Sequence, residues 1–224
     1  MSNETHRADA DRLRSGERLS RERVVDAAVA VARRDGFDGL SMRRLANELG
    51  VSTMAAYRHV PGKDGLDDEV VDAVLSTVPL DDLPEAWDER LTEVVTRTAA
   101  VLADFEGLPD RLRGRTLSRP GVVRWLEALT EPLVVAGVSR RERGTVVASI
   151  IWLLRGAMGA RTEWDDAVAS LEEVRRADDE DLLDAPLVRD SADHMQQSDS
   201  DELLEQALGL LLEGLSVSTS ASRA

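Results

Sequence analysis

The chain of 224 residues contains no cysteine, a single lysine, three histidines and only 3% aromatic residues. Without cysteine, neither a disulfide nor a thiolate metal site can form, which suits a reducing compartment. The longest apolar stretch is the nine-residue run from Val146 to Leu154, interrupted by Ser149, whereas a membrane span needs about 20 residues. The polar N-terminal stretch lacks the apolar run of a signal peptide, so the expectation is a cytoplasmic chain with no membrane partner. No β-branched run alternates cleanly, so an all-α fold is expected. The histidines are scattered, no glycine-rich phosphate loop is present, and no carboxylates pair on one face. These gaps argue against an enzyme: no catalytic residue, metal site or cofactor is expected.

Net charge is −15, which at first sight disfavours nucleic acid. The charge is segregated, however. Residues 18–63 hold nine basic and five acidic side chains, a net of +4, while residues 64–224 hold 16 basic and 34 acidic, a net of −18. Electrostatic attraction to a polyanion would therefore be local rather than spread over the molecule.

The basic segment also carries the clearest motif, residues 41–63. Met42, Leu45, Ala46 and Leu49 fall on one helical face. Gly50 can take the left-handed conformation that ends such a helix. Val51 turns back toward the core and Ser52 can cap a second short helix over 53–59, closed by Pro61 and Gly62. Two helices joined by a tight glycine turn form the arrangement whose second helix enters a DNA major groove. Upstream, Ser20 precedes an amphipathic helix over 20–34, and Phe37 and Leu40 face a three-helix core.

Residues 19–75, LSRERVVDAAVAVARRDGFDGLSMRRLANELGVSTMAAYRHVPGKDGLDDEVVDAVL, resemble the N-terminal domain of the TetR family of bacterial transcriptional repressors. The D-G-F-x-G-L-S turn, the L-A-x-x-L-G-V-S corner and A-Y-R-H-V-P-G-K carry the resemblance. Residues 76–217 resemble the tetracycline-repressor-like C-terminal domain more loosely, in helix order and in the final L-G-L-L-L-E-G-L segment. The expected organisation is a disordered arm (1–18), a helix-turn-helix DNA-binding domain (19–63), a helical effector-binding and dimerisation domain (64–217) and a frayed C-terminus (218–224).

In the second half, helices are expected from 63 or 64 to 76, over 85–105 with Asp82 as N-cap, and over 120–136 with a kink or break near Pro132. Ser139 and Glu142 form a capping box for a helix over 140–161. A separate amphipathic helix follows around Trp164, and the last helix covers 201–215. The helices over 140–161 and 201–215 are apolar nearly all round, so each needs cover on two sides. The alternatives are a central helix buried within one subunit and a homodimer in which each chain donates this pair to a four-helix bundle. The second is preferred, and the resemblance implies the same arrangement with twofold symmetry.

Candidate contacts to double-stranded operator DNA are Ser41, Arg43, Thr53, Met54, Ala55, Tyr57, Arg58, His59 and Lys63. Arg43 can fork onto guanine O6 and N7. Met54 and Ala55 can read only thymine methyls or shape. Tyr57 and His59 resemble the family's backbone-binding residues, and Lys63 stands at a helix start that suits a phosphate. Arg18 and Arg21 could add backbone contacts, and Arg44 could pair with DNA or with an acid. The resemblance implies a pocket for a small-molecule effector, with Arg97, Trp125, Trp152 and Arg155 as candidate lining. Tetracycline repressors hold a drug–magnesium complex through histidines in this domain, and here the sole candidate is His194, so that ligand is not expected. A homodimeric repressor released by its ligand is the favoured reading. A ligand-activated DNA binder and a dimeric protein-interaction protein retaining the fold are the alternatives.

Overall fold

A computed structural model describes the backbone over residues 19–112, 116–176 and 200–223, and every described regular element is helical. Eight α-helices follow in order. They are α1 (Arg21–Gly39), α2 (Met42–Leu49), α3 (Thr53–Tyr57), α4 (Gly62–Ser76), α5 (Trp87–Leu102), α6 (Pro120–Val135), α7 (Arg140–Arg176) and α8 (Ser200–Arg223), with two 3₁₀ turns, Pro109–Arg111 and Thr116–Ser118, between α5 and α6.

The helix starts follow the serines. Ser20, Ser41 and Ser52 accept the backbone N–H groups of Arg23, Arg44 and Ala55 at 3.2 Å each, satisfying donors that the first helical turn leaves unpaired. At α7 the capping box forms: Ser139 Oγ accepts the Glu142 N–H, and Glu142 Oε2 accepts the Ser139 N–H. Helix α1 is broken at Gly36, whose φ of 69° no continuing helix can hold, and this turns Phe37 and Leu40 into the core.

Four expectations about the helices change. The helix at 140–161 does not stop there: α7 continues unbroken to Arg176. Gly156 and Gly159 lower helix propensity by only about 1 kcal/mol each, and no proline intervenes to end the helix. Helix α6 passes Pro132 and continues to Val135, so of the kink or break expected there the break does not occur. Asp82 does not cap α5. It sits in the preceding loop with φ 52°, and the N-cap is Ala86, which has no side-chain hydrogen bond. Helix α8 extends to Arg223 instead of fraying at 218. The expected arm over residues 1–18, together with Arg18 and His194, lies outside the described residues.

Helix α4 is the element on which both halves of the chain pack. Leu66, Val70, Val71, Val74 and Leu75 are fully buried along it. Its Asp72 Oδ1 accepts the backbone N–H of Gly121 (2.7 Å) and of Val122 (3.1 Å), so a side chain of α4 caps the N-terminus of α6. Arg124 of α6 returns two hydrogen bonds to the carbonyls of Ser76 and Val78 at the far end of α4. The close approach depends on Gly121: a Cβ there would overlap Ser76 Oγ and come within 2.5 Å of the Asp72 carbonyl oxygen. Deeper in the core, buried Trp125 donates to Thr98 Oγ1 (2.9 Å), which donates to the Val94 carbonyl (2.6 Å), so no polar atom of that chain is left unpaired.

Gly121→Ala should therefore destabilise by about 1–3 kcal/mol, the usual cost of overpacking, lowering Tm by about 2–4 °C per kcal/mol. Adding Ser76→Ala should fail to restore stability, because the Asp72 carbonyl still opposes the methyl. Thermal unfolding of the two variants checks both outcomes.

Candidate nucleic-acid interface

Helices α2 and α3 meet at Gly50, which holds φ 64° and closes α2 by donating to Asn47 O (3.2 Å), while Val51 N–H reaches Ala46 O (3.0 Å). Met42, Leu45 and Ala46 of α2 and Ala56 of α3 are buried against Val24, Ala28 and Val31 of α1. The inward residues are apolar, which leaves the polar and long side chains facing out. Ser41, Arg43, Met54, Tyr57 and Arg58 are exposed, with Met54 at 73% and Tyr57 at 48%, and Thr53, Ala55 and His59 are half-buried. Arg43 and Arg58 make no ion pair or hydrogen bond through their guanidinium groups among the described residues. Nothing within the molecule competes for those ten N–H donors.

Three other cations are committed inside the molecule. Arg44 pairs with Asp35 at 2.7 Å, which resolves its two alternatives in favour of an acid. Asp35 and Glu48 also receive Arg34 (3.2 and 3.0 Å), and these pairs tie α1 to α2. Hydrogen bonding from Arg34 is the leading cause that holds both carboxyls below their ordinary values. Lys63, placed by its sequence position at a phosphate, points back into the head. Its ammonium donates to Asp67 and to the Phe37 carbonyl (3.3 Å) and lies 5.9 Å from the Phe37 ring. One of its three N–H groups remains beyond those two bonds.

Below the head, Glu69 on α4 is nearly buried and accepts both Arg21 of α1 and Arg119 at the entry to α6. Burial alone would raise its carboxyl pKa, but the two guanidinium groups outweigh that and hold it below the ordinary value. Arg21, expected at the DNA backbone, is thus anchored to α4, though its side chain is still 60% exposed. The Glu69 cluster and the Asp72 cap went unnoticed in the sequence, because their partners lie 48 to 50 residues away and no spacing rule links them.

The four expected pocket residues do not converge. Arg97 binds Glu93 and the carbonyls of Pro79 (3.1 Å) and Asp81 (2.7 Å), pinning the loop that follows α4 onto α5. Trp125 is completely buried core. Trp152 is 66% exposed on α7. Arg155 pairs with Asp110 at 3.2 Å beside the head. Trp152 instead lines an apolar groove of about 780 Å³ between α7 and α8, with Leu153, Ala157, Leu203, Ala207 and Leu210.

Residues 24–70 match the family described as bacterial regulatory proteins, tetR family. The chain is 33% identical to the HTH-type transcriptional repressor DrrR1 of Streptomyces coeruleorubidus over 160 residues, 66% of this chain and 59% of that protein. It is 29% identical to the class D tetracycline repressor of Escherichia coli over 210 residues, 91% of this chain and 92% of that one. It therefore spans about three-fifths of the first relative and nearly all of the second. The solved structure of apo ActR from Streptomyces coelicolor shares the fold, with a TM-score of 0.78 at 22% identity, covering 93% of this chain and 100% of that one. Over residues 24–70 the chain is thus similar to bacterial regulatory proteins of the tetR family, and over a longer stretch to transcriptional repressors. Among the described residues, no helix is long and apolar enough to cross a membrane.

The depressed Glu69 carboxyl fixes the sign of a pH effect. A lowered folded-state value contributes stability that is fully present above the unfolded value of about 4.5 and is lost as pH falls through the folded one. Glu69→Gln should cost about 1–2 kcal/mol at neutral pH, below the buried-pair range because Arg21 is largely solvated. It should also lose less stability on further acidification. Thermal unfolding from about pH 7 to about pH 3 reads both effects.

Proposed function

We propose that the chain is a homodimeric transcriptional repressor that binds a palindromic operator and is released by a small-molecule ligand. The reading head is residues 19–63, and the effector and dimerisation domain is residues 64–217. The observation that carries this reading is the outward face of α2 and α3. Arg43, Met54, Tyr57 and Arg58 are exposed there, the two arginines unpaired, on a segment (18–63) of net charge +4 in an acidic chain. Phosphate contacts from Ser41, Tyr57, His59 and the remaining N–H of Lys63 would set the register. Arg43, Thr53, Met54, Ala55 and Arg58 would meet base edges.

A palindrome needs two heads about 34 Å apart, hence a dimer. Helices α7 and α8 are built for one, because each has two apolar faces. Val146, Ile150 and Leu154 of α7 and Leu204, Leu208 and Leu212 of α8 are buried within the subunit. Trp152 and Leu210, 66% and 72% exposed, point away from that core. A Cβ at Gly144 or Gly156 would meet nothing within 4 Å, leaving room for close approach by a second copy. An apolar patch of this kind on a soluble chain marks an interface.

Ligand release is supported by the kinship with drug-responsive repressors and by the structure of ActR of Streptomyces coelicolor in complex with actinorhodin. Helix α4 would carry the signal, since Asp72 and Glu69 fasten it to the entry of α6 while the head sits on its other end. A shift of α6 would then move the head, and operator DNA would weaken the ligand by the same factor.

Fluorescence anisotropy on DNA from upstream of the chain's own gene, against unrelated DNA over a salt series, tests the reading. Two subunits should bind one palindrome specifically, and absence of preference at any salt would sink it. Arg43→Ala with Tyr57→Ala should remain dimeric and lose at least about tenfold in specific affinity. Leu210→Arg should convert the dimer to monomers in sedimentation. A Leu210→Arg protein that stays dimeric would place the interface elsewhere.

A further inference from the structure

The outward face of α2 and α3 carries one side chain that attraction between charges does not explain. Met54, the second residue of α3, is 73% exposed, as far out as any large apolar side chain among the described residues. It belongs neither to the buried core nor to the half-buried residues packed against it. Its neighbours have other tasks or less reach. Ser52 uses its hydroxyl to cap the Ala55 N–H at 3.2 Å, Thr53 and Ala55 are half-buried, and Ala56 is buried. Among the described residues of the head, Tyr57 is the other exposed large apolar side chain, and it carries a hydroxyl that can donate and accept.

The arginines of this face, Arg43 and Arg58, suit a polyanion. An apolar side chain placed among them meets few apolar groups on such a partner. In the major groove the base edges present hydrogen-bond donors and acceptors, and the one apolar group among them is the C5 methyl of thymine. Methionine has no N–H or O–H, and its thioether sulfur is only a weak acceptor. We propose that Met54 is a specificity-determining residue that reads the 5-methyl group of a pyrimidine, whichever pyrimidine bears it. This inference rests on the proposed function and states what one position of each operator half-site must contain.

The extension beyond thymine follows from what Met54 lacks. Cytosine methylated at C5 presents the same methyl, beside an amino donor where thymine has a carbonyl acceptor. A side chain with no strong donor or acceptor does not distinguish the two. The unbranched, polarizable methionine chain can also adjust to small differences in where the methyl lies. Unmethylated cytosine leaves the same side chain against a polar edge with no apolar contact. Where cytosine stands at that position, the modification state of the DNA therefore sets the strength of binding.

The test uses the full-length protein and the palindrome bound in the anisotropy experiment. Each thymine is replaced in turn, symmetrically in both half-sites, by deoxyuridine, which removes the methyl and leaves the hydrogen-bonding edge intact. One position should weaken binding by about fourfold per half-site, the value of one buried methyl, and so about 15-fold with both changed. At that position 5-methylcytosine should bind more tightly than cytosine by a similar factor. Met54→Ala should bind thymine and uracil alike there, and cytosine and 5-methylcytosine alike, with its thermal unfolding profile retained. Met54→Leu should keep the preference for the methyl. The inference is overturned if no thymine position responds to uracil, if Met54→Ala discriminates as well as the unaltered protein, or if 5-methylcytosine gains nothing over cytosine. Absence of specific binding to the thymine-containing DNA overturns the proposed function and this inference with it. Specific binding that is indifferent to uracil overturns this inference alone.

Discussion

Everything in this chain hangs on the carboxylate of Asp72 reaching across to two backbone N–H groups at the start of α6. The bond pair is possible because position 121 has no side chain, and it brings α4 and α6 closer than any other residue there would allow. Helix α4 also holds the head through Lys63, which donates to the Phe37 carbonyl at one end, and through Glu69 in the middle. One helix is thus the floor of the head and the wall of the body. A rigid element shared in this way transmits displacement instead of absorbing it, which is the physical requirement for coupling two distant sites.

The electrostatics divide along the same lines. Cations that hold the head together are engaged within it: Arg34 and Arg44 by Asp35 and Glu48, Lys63 by Asp67 and a carbonyl. Cations on the outward face are not, and Arg43 keeps all its donors. A surface arginine without a partner adds little to folding and leaves its donors free.

The head was legible in the sequence because its determinants are local. Serine caps act over three residues, Gly50 acts on its own φ, and the apolar stripe of α2 repeats within eight residues. Arg44 beside Asp35 was open between two partners, since the residue types fit both and geometry alone decides. Trp125 and Arg97 were misplaced for a related reason: a tryptophan in a helix and an arginine near carboxylates look alike whether they line a pocket or fill a core. The unbroken α7 was missed because a drop in apolar content after residue 161 reads as an end, while helix continuity depends on backbone breakers, and none is present. The Asp72 cap and the Glu69 cluster join residues some 50 positions apart, and a single sequence carries no sign of such pairs.

The scarcity of lysine acquires a use once its one instance is located. Lys63 carries the only side-chain primary amine in 224 residues, and its Nζ rests between Asp67 and the Phe37 carbonyl where the head meets α4. With a side chain 36% exposed, it is reachable by solvent yet shielded by contacts that any rocking of the head must alter. An amine-directed reagent would therefore mark this junction and no other side chain, giving the molecule a built-in side-chain reporter of how its two parts sit together.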